Sequence, residues 1–236
     1  MKNIIIHGFG FMGTMHAQSY QQIPNAKVVA IVDVERDKAQ ANLTKLDLQA
    51  PIYASLKSAL GKVSADVVDV CLPTDLHRKA VLQAVAAGKQ VFCEKPLALK
   101  TRHAEEMAAA AEKAGVQFMA GQCIRFWPEY QAFVEFVRSK RAGRLLSLTL
   151  QRRSGRPAHS IGNWLNDPKR SLGAALDLHI HDTDFVLHLL GKPQAVNSRA
   201  TRDDGGMTHI FTQYEYDGLA VSAEGGWNYP AKWGFQ

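Results

Sequence analysis

Three short segments carry residue types whose spacing suits nucleotide binding and proton transfer. The segment Gly8 to Gly13 has the form G-x-G-x-x-G, which brings a helix N-terminus and bare backbone close to a pyrophosphate. Glu94-Lys95-Pro96 places an amine before a proline, which restricts the preceding residue to extended conformations. Asp177 and His181 are four residues apart, the helical spacing at which a carboxylate can orient an imidazole as a general base.

The glycine segment lies between a predicted strand at residues 3–7 and a predicted helix at residues 14–23, the context that a dinucleotide site requires. Gly8 permits the tight turn, Gly10 lets the backbone approach the pyrophosphate, and Gly13 allows close helix–strand packing. A tight turn without a ligand is the alternative. We expect six consecutive residues to contact the cofactor: Gly8, Phe9, Gly10, Phe11, Met12 and Gly13.

The acid at the end of the second predicted strand indicates which dinucleotide is bound. Asp33 lies 20 residues beyond Gly13, where an acid accepts hydrogen bonds from the adenosine ribose. A 2′-phosphate would meet both Asp33 and Glu35, with only Arg36 nearby to offset them. The sequence therefore favours NAD over NADP, while Asp33 also suits the N-cap of the next helix.

Further candidates follow later strands at the same edge of the predicted sheet. Open α/β sheets bind ligands at the carboxyl ends of their strands. A lysine there can hold a substrate hydroxyl and stabilise an alkoxide. His77 either faces this edge or is simply a residue of the first helical turn. We include in the cofactor site Leu72, Pro73, Thr74, His77, Glu94 and Lys95.

The segment 173–190 reads as one apolar helix that carries Asp177 and His181. Burying an acid and an imidazole there costs several kcal/mol unless they are paired or used. His179 falls on another face of this helix and is the less suitable base. A zinc site from these three residues is disfavoured, because positions two apart do not converge on a helix. We expect no metal.

The order of predicted elements gives the fold class, α/β with two domains. Strands alternate with helices over the first 122 residues, which predicts a doubly wound parallel Rossmann sheet. Three strand-like runs then follow one another without intervening helices, at residues 195–201, 209–216 and 219–227. They predict an α+β domain with a largely antiparallel open sheet. We divide the chain into a nucleotide-binding domain, 1–122, and a substrate and oligomerisation domain, 123–236.

Composition excludes several classes of protein. Apolar residues make up 46% and charged residues 21% of the 236 residues, which is ordinary for a globular protein. No apolar stretch is long enough for a membrane helix, so we expect no membrane partner. The three cysteines show no metal spacing and no disulfide framework, which predicts a cytoplasmic protein.

The net charge of +6 is concentrated in residues 123–172, which hold ten basic against three acidic side chains. Such a segment suits a solvated face, an anionic substrate or nucleic acid. No nucleic-acid-binding motif accompanies it, so we expect no nucleic acid. Arg152, Arg153 and Arg156 leave open an acidic sugar as substrate.

With the three segments in this order, the chain resembles the glucose–fructose oxidoreductase/inositol dehydrogenase/rhizopine-catabolism (Gfo/Idh/MocA) family. The resemblance also rests on the segments 72–74, 125–128 and 173–182. It implies an NAD-dependent oxidoreductase that transfers a hydride between a secondary alcohol of a sugar, polyol or related metabolite and the nicotinamide. It implies Lys95, Asp177 and His181 as catalytic residues, with Asp182 as a neighbour.

Two alternatives share this scaffold: an enzyme that recycles a tightly bound NAD, in glycoside cleavage or sugar–sugar oxidoreduction, and a non-catalytic NAD-sensing regulator.

Members of the family commonly have a small residue where this chain has His179, so we expect a pocket of different size or polarity. The residues expected to bind the carbohydrate-like substrate are Lys95, Arg125, Trp127, Trp164, Asp177 and His181.

Family members continue well beyond residue 236, and their open sheet mediates oligomers. We therefore expect the second domain to be incomplete here, with a turn at residues 233–236 and unprotected sheet edges. We expect the full-length protein to form a homo-oligomer through this sheet.

Overall fold

The computed structural model describes residues 1–158 and 160–230. These residues form two compact units, one of residues 1–121 with 160–162 and one of residues 122–158 with 163–230. The turn expected at residues 233–236 lies outside the described residues. Among the described residues, no helix combines the length and the apolar character needed to cross a bilayer.

The sheet of the first unit is parallel throughout, as the alternation of strands and helices predicted. Its strand order is β3-β2-β1-β4-β5-β6, so the direction of winding reverses between β1 and β4. Ligands bind at the carboxyl ends of the strands beside such a reversal. The strands are β1 (Lys2–His7), β2 (Ala26–Val32), β3 (Ile52–Tyr53), β4 (Val67–Val70), β5 (Gln90–Cys93) and β6 (Phe118–Ala120).

Helices cover both faces of this sheet, so the strands are buried on both sides. Ile4 and Ile6 of β1 pack in one core with Leu43, while Ile5 packs in the other with Met107. This alternation follows from the two-residue period of a strand. The helices are α1 (Phe11–Tyr20), α2 (Arg36–Lys45), α3 (Leu56–Leu60), α4 (Thr74–Ala86) and α5 (Thr101–Ala114).

The second unit is an α+β arrangement with a four-stranded sheet in the order β7-β10-β9-β8. The pairs β8–β9 and β9–β10 are antiparallel, as predicted, but β7 is parallel to β10. A long connection that contains two helices and the other two strands separates these parallel strands, as parallel pairing requires. The elements are α6 (Pro128–Ser139), β7 (Ser147–Arg153), α7 (Ala174–Asp177), α8 (Ile180–Leu190), β8 (Ala195–Asp203), β9 (Gly206–Tyr216) and β10 (Leu219–Gly226).

The single helix predicted over residues 173–190 is wrong, because the chain forms two helices there. α7 ends at Asp177 and α8 begins at Ile180. At the break, the N–H of His179 donates to the carbonyl of Ala174, five residues earlier, at 2.9 Å. This wider, π-type step is a known interruption of the helical ladder. Leu178 and His179 are both buried at the break.

One face of the second sheet packs against α8, and the other is open. Val186 of α8 lies in a core with Leu148, Tyr214 and Val221, one from each of β7, β9 and β10. The opposite face carries mostly polar side chains. It includes Thr149, Gln151, Arg199, Phe211, Gln213, Ser222 and Glu224.

Candidate functional site

The glycine loop at the end of β1 has a shape that only glycine permits at two positions. Gly8 has φ +96°, and a Cβ there would lie 2.7 Å from the Cys71 carbonyl oxygen. A Cβ on Gly13 would lie 2.0 Å from the carbonyl oxygen of Gly8. Both contacts are shorter than any tolerated non-bonded distance, so Gly8 is required where the loop packs against the end of β4 and Gly13 where α1 packs against the loop.

The start of α1 has the properties of an anion site. A Cβ on Gly10 would meet only the Ile161 Cδ1, at 3.5 Å, so the backbone is accessible on that side. The helix begins at Phe11, with no acidic residue in its first turn. The side chains of Phe11 and Met12 are exposed. Backbone N–H groups at such a terminus attract phosphate, so this loop fits a dinucleotide.

Asp33 ties the glycine loop to the end of β2. Its Oδ2 accepts the backbone N–H of Phe9 at 2.6 Å, and its Oδ1 accepts that of Glu35 at 2.8 Å. The Asn42 side-chain amide donates to the Phe9 carbonyl at 3.1 Å, which holds the loop from a second side. Since each carboxylate oxygen can accept more than one hydrogen bond, Asp33 keeps capacity for the ribose.

His77 connects the two loops that follow β4 and β5. Its Nε2 lies 2.7 Å from the Leu72 carbonyl oxygen and its Nδ1 lies 3.0 Å from that of Pro96. The ring is 1% exposed, and this burial lowers its pKa. Pro73 precedes α4, which begins at Thr74. Because both ring nitrogens face carbonyl groups of the protein, His77 shapes the rim of the site from within.

Lys95 leaves β5 next to a carboxylate that is held on both oxygens. Glu94 Oε2 accepts the backbone N–H of Lys95 at 3.1 Å, and Glu94 Oε1 lies 3.1 Å from His16 Nε2. The peptide bond between Lys95 and Pro96 is cis. Glu94 is buried and Lys95 is half-buried. Backbone contacts to Glu94 and, through Pro96, to His77 thus fix the chain around the lysine.

A buried polar cluster behind Glu94 was not found from the sequence. His16 Nδ1 lies 2.9 Å from Asp69 Oδ2, and the Tyr20 hydroxyl donates to the same oxygen at 2.9 Å. The Cys71 Sγ lies 3.2 Å from His16 Nδ1. The signal in the sequence was Asp69, an acid in the middle of an apolar strand, which needs polar partners when it is buried.

The carboxylates determine the charge of this cluster. Burial by itself would lower the pKa of His16, but hydrogen bonds and Coulomb attraction to Asp69 and Glu94 outweigh it and raise that pKa to about 10. Burial, reinforced by the same carboxylates, holds the pKa of Cys71 well above its ordinary value. His16 is therefore a cation at neutral pH, and Cys71 is a neutral thiol.

In the second unit, Asp177 and His181 lie on either side of the helix break. Asp177 is the last residue of α7 and is half-buried. His181 is the second residue of α8 and is 7% exposed. The sequence had placed both on one continuous helical face. In the structure they belong to two different helices, so the break between α7 and α8 determines their relative positions.

His179 is packed against the sheet of the second unit. Its Nε2 lies 2.8 Å from the Thr212 Oγ1, and a Cβ on Gly225 would come within 3.0 Å of its Nδ1. Burial, reinforced by the charge of Arg152, lowers the pKa of His179 to about 4. A neutral imidazole thus fills the space over Gly225.

Part of the basic segment is neutralised by acids from outside it. Arg152 Nη2 lies 2.8 Å from Asp182 Oδ1, and both residues are buried. The same Arg152 nitrogen donates to the Tyr130 hydroxyl at 2.8 Å. Arg153 pairs with Glu224 at 2.9 Å, and the Arg156 guanidinium pairs with Asp203. These pairs weaken the case for an acidic substrate.

The remaining substrate candidates have different surroundings. Arg125 makes a two-pronged contact with Asp184, with its Nε 2.6 Å from Oδ2. Trp127 is the N-cap of α6 and is 41% exposed. Trp164 is half-buried beside a core that contains Leu178. Of these three side chains, Trp127 is the one presented most openly, while the Arg125 guanidinium is engaged by an acid.

Among the described residues, the group close enough to share a metal ion is His16, Asp69 and Cys71, whose donor atoms lie within 4.8 Å of one another. The set Asp177, His179 and His181, weighed as a zinc site from the sequence, is not such a group in the described part of the chain.

Comparison with protein families gives two matches that together cover most of the chain. Residues 2–122 match the model described as "Oxidoreductase family, NAD-binding Rossmann fold" (GFO_IDH_MocA). Residues 130–235 match the GFO/IDH/MocA C-terminal domain.

Individual relatives agree with these matches. A 2,7-anhydro-N-acetylneuraminate hydratase from Escherichia coli K12 is 32% identical over 83% of this chain and 52% of its own length. A myo-inositol 2-dehydrogenase from Thermotoga maritima is 30% identical over 78% of this chain and 54% of its own. The crystal structure of GenD2 from gentamicin A biosynthesis, in complex with NAD, is 26% identical with a TM-score of 0.89, covering 97% of this chain and 66% of that one. The chain spans about half the length of the curated relatives it matches.

Proposed function

Since the chain belongs to the GFO/IDH/MocA family of oxidoreductases, with an NAD-binding Rossmann domain, we propose that it acts as a dehydrogenase, or as part of one, on a secondary alcohol of a sugar, polyol or related metabolite. Residues 1–122 serve as the nucleotide domain and residues 123–236 as part of the substrate domain. The observation that carries the proposal is the glycine cradle held by Asp33, at the same sheet edge as the tethered Lys95.

Different residues of the chain bind the cofactor, hold the substrate oxygen and transfer the proton. The loop 8–13 binds the pyrophosphate, and Asp33 binds the ribose. The nicotinamide ring, when bound, would accept the hydride. Lys95 holds the substrate oxygen and stabilises negative charge on it. His181 takes the hydroxyl proton, and Asp177 orients its ring. Lys95 and His181 are the two groups that can exchange the role of base.

The acids near Asp33 support NAD as the cofactor rather than NADP. The Asp33 carboxylate and Glu35 would both repel a 2′-phosphate. Lys38 lies 3.3 Å from the Glu35 carboxylate. The Arg36 guanidinium is directed at the Ile52 carbonyl, 3.4 Å away. Lys38 and Arg36 therefore already have protein partners.

A panel of sugars and polyols, assayed for absorbance of reduced cofactor with NAD and with NADP, tests the proposal. Lys95→Ala should lower kcat at least 100-fold, because the charge on the substrate oxygen loses its cation. Binding of NADH should change less than threefold. Lys100→Ala, at an exposed lysine before α5, is the matched control and should keep wild-type turnover. Unchanged kcat in Lys95→Ala would reject the role of Lys95.

A second candidate is an enzyme that recycles a bound nicotinamide without net oxidation. It is favoured by the relative named a hydratase, since adding water to a substrate leaves its oxidation level unchanged. Transient bound NADH without accumulation of free NADH would support this candidate. Stoichiometric release of NADH would support the dehydrogenase.

The open face of the second sheet supports assembly into a homo-oligomer. Every residue of β8 is exposed, and so is the Phe211 ring on β9. A second copy of the chain is the partner that we propose for this face.

We propose the cytoplasm as the compartment of this protein, because Cys71, Cys93 and Cys123 are free thiols.

A further inference from the structure

A continuous polar network runs through the interior of residues 1–121 to the backbone of Lys95. The Tyr20 hydroxyl donates to Asp69 Oδ2 at 2.9 Å. The same oxygen lies 2.9 Å from His16 Nδ1. The opposite ring nitrogen, His16 Nε2, lies 3.1 Å from Glu94 Oε1. Glu94 Oε2 then accepts the Lys95 N–H at 3.1 Å.

The geometry requires a charged ring at the centre of the network. Both nitrogens of His16 face carboxylate oxygens, and a neutral imidazole carries only one N–H. Asp69 is fully buried and Glu94 is 8% exposed, so without a cation between them the two carboxylates would repel each other. An imidazolium satisfies both acids at once.

The other groups around His16 are neutral. Cys71 lies 3.2 Å from His16 Nδ1 and 3.4 Å from Asp69 Oδ1, and burial keeps its pKa far above neutrality. Burial likewise raises the pKa of Tyr20, as does its hydrogen bond to Asp69. The Phe92 ring lies 5.5 Å from the His16 ring and covers one side of it. The cluster thus holds two acids, one cation and two neutral donors.

We propose that His16 is a positioning residue for Lys95: as an imidazolium that donates one hydrogen bond to Asp69 and one to Glu94, it fixes the carboxylate that in turn receives the Lys95 backbone N–H. Without the imidazolium, Glu94 keeps one fixed oxygen and an uncompensated charge near Asp69. Its carboxylate then turns away or takes a proton, and the hydrogen bond to Lys95 weakens.

A metal ion at the same residues is the competing interpretation. His16, Asp69 and Cys71 have donor atoms within 4.8 Å of one another. An ion would need a thiolate from Cys71 and a lone pair on His16 Nδ1. Burial and both carboxylates disfavour the thiolate, and Asp69 already engages Nδ1. Stoichiometric metal in the purified protein, measured by elemental analysis, would overturn the proposal.

The inference rests on the proposed role of Lys95, but its first two measurements need no substrate. The first is nitrogen NMR of the whole chain labelled with ¹⁵N-histidine. One ring should keep both nitrogens protonated up to about pH 9, in line with the pKa of about 10 for His16. That signal should be absent from His16→Gln. A His16 ring that titrates near its ordinary value would overturn the proposal.

The second measurement is hydrogen exchange of peptides that cover residues 91–97. In His16→Gln these amides should exchange at least tenfold faster, while those of α5 stay unchanged. His103→Gln, at a half-buried site on α5, is the matched control and should leave both regions unchanged. Wild-type exchange at 91–97 in folded His16→Gln would overturn the proposal.

Glu94→Gln covers the case in which His16→Gln does not fold. The new amide can still accept a hydrogen bond from the Lys95 N–H. The substitution nevertheless removes one of the two negative charges that hold the imidazolium. The NMR titration midpoint of His16 should then fall by at least one pH unit. An unchanged midpoint would show that Glu94 does not hold the ring, and would overturn the proposal.

Kinetics on a substrate from the sugar panel tests whether His16 acts through Lys95. His16→Gln should lower kcat about tenfold and change KM and NADH affinity less than threefold. In the Lys95→Ala background the same substitution should cause no further loss, whereas additive losses would overturn the proposal. If no substrate is found with either cofactor, the proposed function fails while the NMR and exchange results still decide the network.

Discussion

At the scale of single residues, backbone hydrogen bonds explain why certain side chain types are needed. Asp33 accepts two backbone N–H groups, from Phe9 and Glu35, with its two separate oxygens. A ribose contact alone would require only a polar acceptor. Two N–H donors at separate positions require two accepting atoms at the end of the side chain. A carboxylate has two such oxygens, whereas an amide has one oxygen and one NH₂ donor.

Asp33→Asn should therefore damage both the loop and cofactor binding. The new amide NH₂ would face a backbone donor, and the unpaired N–H costs about 1–3 kcal/mol of stability. We expect NADH affinity, measured by fluorescence titration, to fall at least tenfold. Asp37→Asn makes the same change at an exposed position on α2 and should behave as wild type. Equal NADH affinities for the two variants would contradict this account of Asp33.

At the scale of elements, buried charge pairs and a helix break organise the second unit. Arg152 of β7 and Asp182 of α8 form a buried pair that joins strand to helix, and the Tyr130 hydroxyl on α6 completes it. Burial raises the pKa of Asp182, and the Arg152 charge opposes that shift. The break before Ile180 sets where α8 begins and so which of its residues face the sheet.

Asp182→Asn should destabilise the second unit strongly. It leaves the Arg152 cation buried without a counter-charge, which costs about 3–5 kcal/mol. Asp184→Asn removes the partner of Arg125, whose side chain is 38% exposed, so water can compensate and the loss should be smaller. Urea unfolding of both variants measures the difference. Similar losses of stability would show that burial does not control the strength of these pairs.

His179 should make the stability of the fold sensitive to acid. Burial and the charge of Arg152 lower its folded-state pKa to about 4, below the ordinary histidine value of 6.5. Its contribution is therefore complete above pH 6.5 and is lost as the pH falls towards 4, by up to about 1.4 kcal/mol per pH unit.

The stability difference between wild type and His179→Gln, measured by urea unfolding across this range, should shrink as the pH falls. His188→Gln, at a half-buried position on α8, provides the matched control and should show no such trend. A difference that stays constant from pH 7 to pH 4 would rule out His179 as the source.

At the scale of the whole molecule, the two sheets differ in how many of their faces are exposed to solvent. The parallel sheet is covered by helices on both faces, as parallel sheets require. The second sheet is covered by α8 on one face only, and the open face is mostly polar but includes the Phe211 ring. That ring stacks on His209, with centroids 4.7 Å apart, and is 53% exposed. Aromatic residues are enriched in protein–protein interfaces relative to the rest of the surface.

Phe211→Asp should weaken self-association of the protein. A charge at this position would be buried without a partner in an interface between two copies. Sedimentation velocity should show a smaller assembly for this variant. Phe136→Asp places the same charge on an exposed ring of α6, away from the sheet, and should leave the assembly intact. The same sedimenting mass for both variants would rule out this sheet face as the interface.

The sequence by itself determined the features that depend on neighbouring residues. The alternation of strands and helices and the glycine turn before α1 both follow from short periodic patterns and local backbone sterics. The parallel sheet and its position at the start of the chain followed from those patterns.

Only the tertiary structure decided the contacts between residues that are far apart in the chain. His16 and Asp69 are separated by 53 positions, and Arg153 and Glu224 by 71. No periodicity links such pairs, because their partners are fixed by how strands and helices pack. The break between α7 and α8 belongs here too: the apolar pattern of residues 173–190 fits one helix, and the burial of both Leu178 and His179 becomes visible only with the sheet in place.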